Sequence, residues 1–79
     1  MKVKVKLYAT LRRYFPEAEL GESTLVEISE GATVSDLLKK IGIPKGETKI
    51  VLLNANKVKL DQRLREGDLV VLFPPIGGG

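Results

Sequence analysis

The chain has 79 residues, a formal net charge of +3, no cysteine and no histidine. A chain of this length forms one small domain, which buries roughly 60–70% of the surface of its unfolded form. Because cysteine and histidine are absent, the common thiol nucleophile, the common neutral-pH base and the softer metal ligands are missing. We therefore expect neither self-contained catalysis, nor a metal site, nor a tightly bound cofactor.

The distribution of charge bears on location and on nucleic-acid binding. Lysines alternate with apolar residues over residues 2–7, which excludes the continuous apolar stretch of a secretory signal, and no run is long enough to span a membrane. We therefore expect a cytoplasmic protein without membrane contact. The basic residues are scattered from Lys2 to Arg65 and few aromatic residues accompany them, so nucleic acid is not an expected partner.

The first 30 residues predict two strands and a short connection. The alternation over residues 2–7 is the period of a strand with one face on a core and the other in water. That alternation is lost over residues 9–15, and Pro16 follows, so a short helical turn is expected there. The β-branched stretch at 24–28 predicts a second strand, antiparallel to the first.

A single amphipathic helix is predicted next. Thr33 is placed to cap it, and Asp36 occupies its third position, near the positive end of the helix dipole. Its apolar residues recur at the spacing of one helix face: Val34, Leu37, Leu38 and Ile41. Gly42, with Pro44 two residues later, ends the helix.

The rest of the chain predicts further strands separated by turns. Residues 50–53 are a short apolar run, and residues 54–56 are expected to turn it into a weaker strand at 57–59. Residues 61–64 resemble a capped single helical turn, and Gly67-Asp68 predicts a tight turn. The continuous apolar run at 69–73 predicts a central strand.

These elements predict an α+β fold of order ββαββ, in which one helix packs on a mixed sheet of four to five strands. That arrangement is the β-grasp, or ubiquitin-like, fold. We assign residues 1–75 to a single domain and residues 76–79 to a flexible C-terminal tail. Because one helix cannot cover both sheet faces, either Val70 or Val71 should lie on the uncovered face, leaving an apolar docking patch beside the tail. The alternative is a barrel-like curl that buries this patch.

The chain ends in Phe73-Pro74-Pro75-Ile76-Gly77-Gly78-Gly79. Glycine loses more backbone entropy on ordering than any other residue, and it gains nothing from a core, which suits a segment gripped by a partner. Four extended residues, 76–79, reach about 13 Å. The terminal carboxylate could therefore enter a partner's pocket while the domain stays outside. The alternative is a frayed end without a role.

The terminal segment and three earlier motifs resemble the small, sulfur-carrying subunit of molybdopterin synthase. The earlier motifs are Leu7-Tyr8-Ala9-Thr10-Leu11-Arg12, Leu53-Asn54 and Gly67-Asp68. The similarity spans essentially the whole chain, and its most specific part is Phe-Pro-Pro-x-x-Gly-Gly at the end. Two features depart from that family: Arg13 stands where an acidic residue is common, and Tyr14-Phe15-Pro16 is bulkier than usual. The thiamine-pathway sulfur carriers share the fold and the Gly-Gly end and are the alternative.

The resemblance implies a carrier rather than an enzyme. A ubiquitin-activating-type adenylyltransferase would use ATP to adenylate the Gly79 carboxylate, and a persulfide would convert the product to a thiocarboxylate. The large subunit of molybdopterin synthase would then receive the sulfur for molybdopterin. The expected partner contacts are Phe73, Pro74, Pro75, Ile76, Gly77 and Gly78. A protein modifier that forms an isopeptide through Gly79 is a further alternative.

Overall fold

The secondary structure follows the predicted order closely in this computed structural model, which describes residues 1–75. The strands are Lys2–Leu7 (β1), Thr24–Glu27 (β2), Ile50–Leu53 (β3), Asn56–Val58 (β4) and Leu69–Phe73 (β5). One α-helix, Val34–Ile41 (α1), and two 3₁₀ helices, Ala9–Tyr14 and Lys45–Glu47, complete the fold. The predicted tail at 76–79 lies outside the described residues.

β5 occupies the centre of the sheet, whose strand order is β2-β1-β5-β3-β4. It runs parallel to β1 and antiparallel to β3, while the β1–β2 and β3–β4 pairs are antiparallel. The predicted mixed sheet and β-grasp fold are confirmed. The short β4 makes the sheet five-stranded, so the full order is ββαβββ.

α1 and the inward side of the sheet form the core. Val70 and Leu72 are fully buried, whereas Val71 between them is only half-buried. The buried apolar residues that pack with them come from every part of the chain: Val3, Val5, Leu7, Leu11, Val34, Leu37, Leu38, Ile43, Val51 and Leu64. The prediction that either Val70 or Val71 lies on the uncovered face is therefore confirmed, and that residue is Val71.

Both ends of α1 are capped as predicted. The Thr33 hydroxyl accepts a hydrogen bond from the Asp36 amide at 3.2 Å, and the Asp36 carboxylate accepts one from the Thr33 amide at 2.9 Å. At the other end Gly42 has φ +96°, a left-handed conformation that favours glycine. The amides of Gly42 and Ile43 both donate to the carbonyl of Leu38 at 2.9 Å.

The turn between β3 and β4 is shorter than predicted. Asn54 and Ala55 have φ +48° and +75°, the pair of positive values that builds a two-residue hairpin turn. Asn56 therefore already pairs with Leu53 as the first residue of β4, which is Asn56–Val58 instead of the predicted 57–59.

The predicted capped helical turn at 61–64 is wrong. The turn comes earlier, where the Gln62 amide donates to the Lys59 carbonyl at 3.1 Å, and Arg63 then forms an isolated β-bridge with Thr33. The cause is tertiary. The first amides of α1, at Val34 and Ser35, donate to the carbonyls of Gln62 and Leu60, so the turn and the residue after it satisfy donors that a helix cannot satisfy internally.

Candidate partner-binding site

β5 leads directly into the terminal segment and holds its root in place. The strand ends at Phe73, whose carbonyl accepts a hydrogen bond from the Lys49 amide at 2.8 Å. From the other side, the Tyr8 amide donates to the Leu72 carbonyl at 3.2 Å. Because segments on both sides pair with β5 up to its last residues, the point at which the chain leaves the sheet is fixed.

Pro74 and Pro75 explain why β5 stops there. Proline has no amide hydrogen, so neither residue can donate to a strand ladder, and each has a restricted φ. A residue before proline is also restricted to extended conformations, which matches Phe73 as a strand residue. Pro74 is half-buried and Pro75 is exposed. The chain thus changes from paired to unpaired backbone within two residues.

An aromatic contact joins the residue after β1 to the last residue of β5, at the root of the terminal segment. The rings of Tyr8 and Phe73 are stacked, with centroids 5.1 Å apart and planes inclined by 11°. Such pairs contribute about 0.5–1.5 kcal/mol beyond the area that they bury. The contact restricts the Phe73 side chain immediately before the prolines.

The face of the sheet opposite α1, which we call the outer face, is apolar near its centre. Leu69, Val71 and Phe73 of β5 alternate with the buried residues of that strand and are half-buried. The sheet register places Val71 opposite Leu52, and Phe73 opposite Ile50. A contiguous apolar surface therefore crosses β5 and β3 and extends to the end of β5.

An open groove of about 510 Å³ lies in this surface at the root of the terminal segment. We call it the apolar groove, and its lining residues are Ala9, Ile50, Leu52, Phe73, Pro74 and Pro75. A concave apolar surface of this kind is typical of a docking site. The predicted apolar patch beside the tail is thus present and open to solvent, and the alternative of a closed, barrel-like curl is wrong.

At one edge of the groove, Ala9 has a strained backbone conformation as the first residue of a 3₁₀ helix. Its φ is +53°, which costs an L-residue roughly 1–2 kcal/mol. The left-handed residue turns the chain sharply between Tyr8, which stacks on Phe73, and Leu11, which is fully buried. With only a methyl side chain, Ala9 leaves the groove open at this edge.

Arg13 and Tyr14, which belong to the two departures noted in the sequence, share one partner. The Tyr14 hydroxyl donates to a carboxylate oxygen of Glu47 at 2.7 Å, and the Arg13 guanidinium forms an ion pair with the same oxygen. The pKa of Arg13 is raised by its hydrogen bond to Tyr14 and then by the charge of Glu47. This cluster ties the 3₁₀ helix after β1 to the one before β3.

The structure brings three of the predicted contact residues together: Phe73, Pro74 and Pro75 line one groove. Ile76, Gly77, Gly78 and Gly79 lie outside the described residues, so their roles stay predictions. Sequence analysis missed Ile50 and Leu52 as groove residues. The available signal was the unbroken apolar run at 50–53, since a strand with no polar alternation presents apolar side chains on both faces.

Comparison with known proteins decides the family. The model of the ThiS family matches residues 5–79, almost the entire chain. The chain belongs to the ThiS family. No match is found among curated proteins.

Solved structures resemble this ThiS-family chain over its full length. A Pyrococcus furiosus protein named molybdopterin converting factor, subunit 1, is 28% identical with a TM-score of 0.73, covering 96% of this chain and 99% of that one. SAMP1 from Haloferax volcanii is 23% identical with a TM-score of 0.69, and both chains are covered completely. In a Helicobacter pylori complex of subunits 1 and 2 of molybdopterin-converting factor, the matching chain is 20% identical with a TM-score of 0.60, again with complete coverage of both.

These likenesses confirm the resemblance to the ubiquitin-like sulfur carriers and the β-grasp fold of this ThiS-family chain. Within residues 1–75, the structure holds no cluster of three acidic residues placed to bind a metal ion. In the same part of the chain, no helix has the length and apolar character needed to cross a membrane.

Proposed function

We propose that this chain is the sulfur-carrying small subunit that supplies molybdopterin synthesis, with Gly79 as the residue that bears the sulfur. The observation that carries the proposal is the end-to-end likeness to the Pyrococcus furiosus converting-factor subunit, at 28% identity with nearly complete coverage of both chains. The apolar groove beside the Phe73-Pro74-Pro75 root supports it, because a carrier must dock its body while its end reaches a partner's active site.

The proposed chemistry begins at the Gly79 carboxylate, which is a poor electrophile. A carboxylate resists attack, so the partner adenylyltransferase joins the Gly79 carboxylate to AMP and releases pyrophosphate from ATP. The terminal sulfur of a persulfide then attacks the acyl carbon, AMP leaves, and an acyl disulfide forms. Reduction of that disulfide by a thiol releases the thiocarboxylate. Each step uses side chains of the partners, and the carrier contributes the acyl group.

The proposed role of the folded body is to offset the cost of ordering the end. Fixing one backbone residue costs about 1–2 kcal/mol, so gripping residues 76–79 requires favourable contacts elsewhere. Burial of the apolar groove against a partner supplies such contacts. Restricted φ at Pro74 and Pro75 lowers the entropy of the free segment, so less is lost when it inserts.

Mass spectrometry tests the proposal directly. After incubation with the adenylyltransferase, ATP and a persulfide donor, the intact chain should gain one sulfur in place of one oxygen at Gly79. A variant with one residue added after Gly79 is the matched control, because its terminal carboxylate is displaced from the reacting position. Sulfur transfer to the extended variant would contradict the proposal.

The partner that consumes the sulfur separates the two carrier pathways. The Helicobacter pylori neighbour, a complex of converting-factor subunits 1 and 2, supports a large subunit of molybdopterin synthase as the proposed acceptor partner. The alternative is a sulfur carrier for thiamine thiazole synthesis. Thiocarboxylated chain should lose its sulfur on mixing with the large subunit and the molybdopterin precursor. Loss on mixing with a thiazole synthase and its substrates instead would favour the alternative.

A protein-modifier function is the second candidate, and the likeness to SAMP1, the small archaeal modifier protein 1 of Haloferax volcanii, favours it. In that case the activated Gly79 acyl group would be attacked by a lysine amine, forming an isopeptide and releasing the activating group. Cell extracts probed for this chain should then contain high-mass adducts that disappear when Gly78 and Gly79 are removed. Their absence, with sulfur transfer intact, would leave only the carrier role.

A further inference from the structure

The two edges of the sheet carry opposite charge. The edge strands are β2 and β4. Residues 14–38, which include β2, contain six of the ten acidic residues and no lysine or arginine. Residues 48–60, which include β4, contain Lys49, Lys57 and Lys59 and no acidic residue. The sheet therefore has an acidic edge at β2 and a basic edge at β4, separated by four strand spacings, or about 19 Å.

The acidic edge presents backbone groups that are free to pair. Met1 and Ile28 exchange two hydrogen bonds, each of 2.8 Å, between the terminal nitrogen or the amide of one and the carbonyl of the other. Hydrogen-bonded and non-hydrogen-bonded pairs alternate along an antiparallel ladder. The Lys2–Glu27 pair, which comes next in the register, is therefore a non-hydrogen-bonded pair. The amide and carbonyl of Glu27 consequently point away from β1, toward the open edge.

The basic edge is open in the same way. The two-residue turn after Leu53 makes Leu53 and Asn56 the closing pair of the β3–β4 hairpin. In such a hairpin the closing pair is hydrogen-bonded, so the next pair, Leu52 and Lys57, is not. The amide and carbonyl of Lys57 therefore point outward from the sheet. Unpaired edge groups of this kind are a template for another strand.

The charges on these two edges are also available to a partner. Glu27 and Lys57 are both exposed. Glu27 lies across from Lys2 in the register, but the ion pairs within residues 1–75 join the N-terminus to Glu30 and Arg13 to Glu47. Neither edge charge is thus held in an ion pair by the described part of the chain.

We infer that a second copy of this chain docks its basic edge on the acidic edge, with its β4 pairing antiparallel to β2. The register that joins the outward-pointing backbone groups of Glu27 to those of Lys57 places the two opposite charges directly across from each other on the outer face. The same register places Val26 opposite Val58 on the helix side. Both valines are half-buried and pack against the core, so the apolar layer continues from one copy to the next.

The most exposed residue of β2 fits this register as well. Leu25 is 61% exposed and would lie across from Lys59 of the second copy. A lysine stem can cover apolar surface while its ammonium stays in water. The contact would therefore shield a leucine that the single copy leaves in solvent.

The strand directions fix how the copies are oriented. Within one chain β2 and β4 already run in opposite directions, because β1 is parallel to β5 and the other three pairs are antiparallel. Antiparallel pairing of β2 with the β4 of another copy therefore keeps both copies in the same orientation, with the ends of β5 on the same side. The contact joins different surfaces of the two copies, so it can repeat into an open array. This inference goes beyond the proposed function and does not depend on it.

Sedimentation equilibrium of the isolated chain at low salt tests the inference. One pair of short strands buries less than the roughly 1,000 Å² of a stable interface, so the association should be weak, with a dissociation constant of about 1 mM. The weight-average mass should then rise about twofold between about 0.05 and 1 mM, and salt should reduce the rise. A mass that stays that of one chain over this range would overturn the inference.

A charge swap identifies the surfaces. Glu27→Lys makes both edges basic and Lys57→Glu makes both edges acidic, so each variant alone should stay a single chain. Mixed in equal amounts, they should regain the association of the wild type, because each acidic edge again meets a basic one. Glu17→Lys and Lys45→Glu make the same charge changes at exposed residues outside the edge strands and should each associate like the wild type. Association of both edge variants alone, or none in their mixture, would contradict the contact.

A cross-link tests the register in a chain that has no cysteine of its own. Val26→Cys and Val58→Cys leave both edge charges in place, and directly opposed residues of a non-hydrogen-bonded pair have Cα atoms about 4.5 Å apart, within reach of a disulfide. Mild oxidation of the two variants mixed together should give mainly the 26–58 disulfide. Thermal unfolding verifies that each variant is folded. Equal or greater amounts of 26–26 and 58–58 disulfides would show that the edges do not meet in this way.

Discussion

Tyr8 follows β1, Phe73 ends β5, and their rings stack across the parallel pair of strands with centroids 5.1 Å apart. Sequence positions 65 residues apart are thereby joined at the root of the terminal segment. The contact holds the Phe73 side chain immediately before the prolines, so we expect it to couple the stability of the domain to the root of the terminal segment.

Replacing Tyr8 tests that coupling. Tyr8→Leu keeps an apolar side chain but removes the ring pair, so it should lower the free energy of unfolding by about 1 kcal/mol and lower the yield of thiocarboxylate at limiting enzyme. Tyr8→Phe keeps the ring and should behave like the wild type in urea unfolding and in the mass-spectrometric assay. Equal stability of the Leu and Phe variants would contradict an energetic role for the stack.

The apolar groove should contribute to partner affinity, whereas a solitary apolar residue at the edge of the sheet should not. Leu52→Ser alters a half-buried groove residue and should weaken binding to the adenylyltransferase about tenfold, as for a residue at the centre of an interface. Leu25→Ser is the control, since Leu25 lies on the edge strand β2 and is 61% exposed. Titration calorimetry on both variants would measure the difference, and equal losses of affinity would argue against the groove as the docking site.

The hairpin between β3 and β4 contains a strained position that glycine should relieve. Ala55 has φ +75° in a turn that prefers glycine there, so Ala55→Gly should raise the free energy of unfolding by roughly 0.5–1 kcal/mol. Ala18→Gly, at a position without positive φ, should instead lower it or leave it unchanged. Urea unfolding of the two variants gives the comparison, and a destabilised Ala55→Gly would contradict the strain argument.

The capping carboxylate of α1 should make stability depend on pH in acid. The pKa of Asp36 is lowered by the hydrogen bond from the Thr33 backbone amide and then by the Thr33 hydroxyl. Its folded pKa therefore lies below the unfolded value of about 3.9, so its contribution is complete above that value and is lost as the pH falls through the folded pKa.

Asp36→Asn provides the measurement, because asparagine keeps a side-chain oxygen but does not titrate. The stability advantage of the wild type over this variant should be constant near neutrality and should shrink as the pH falls from about 5 to about 2. Thermal unfolding at a series of pH values would record it. A gap that stays constant down to the lowest pH would show that the carboxylate charge does not stabilise the cap.

The sequence pattern alone was sufficient to predict the elements in which core-facing residues recur at a regular period. The period of residues 2–7 predicted β1, the Thr33–Asp36 spacing predicted the start of α1, and the apolar run at 69–73 predicted a central strand, all of which the structure confirms. Burial selects apolar residues at the repeat of the element, so the repeat is visible in the sequence. The terminal Phe73-Pro74-Pro75 motif was informative in the same way, since proline ends a strand wherever the rest of the chain lies.

Only the tertiary structure decided which distant residues share a surface. The groove joins Ala9, Ile50 and Pro74, the sheet register places Val71 beside Leu52, and Tyr14 meets Glu47 across 33 positions. Residues 61–64 were misread as a helical turn because the carbonyls of Leu60 and Gln62 accept hydrogen bonds from the first amides of α1, a demand that no local pattern records. Spacing along the chain reports the period of an element, but the register between strands follows from the packing of the whole core, and that register brings the apolar residues of β3 and β5 together in the groove.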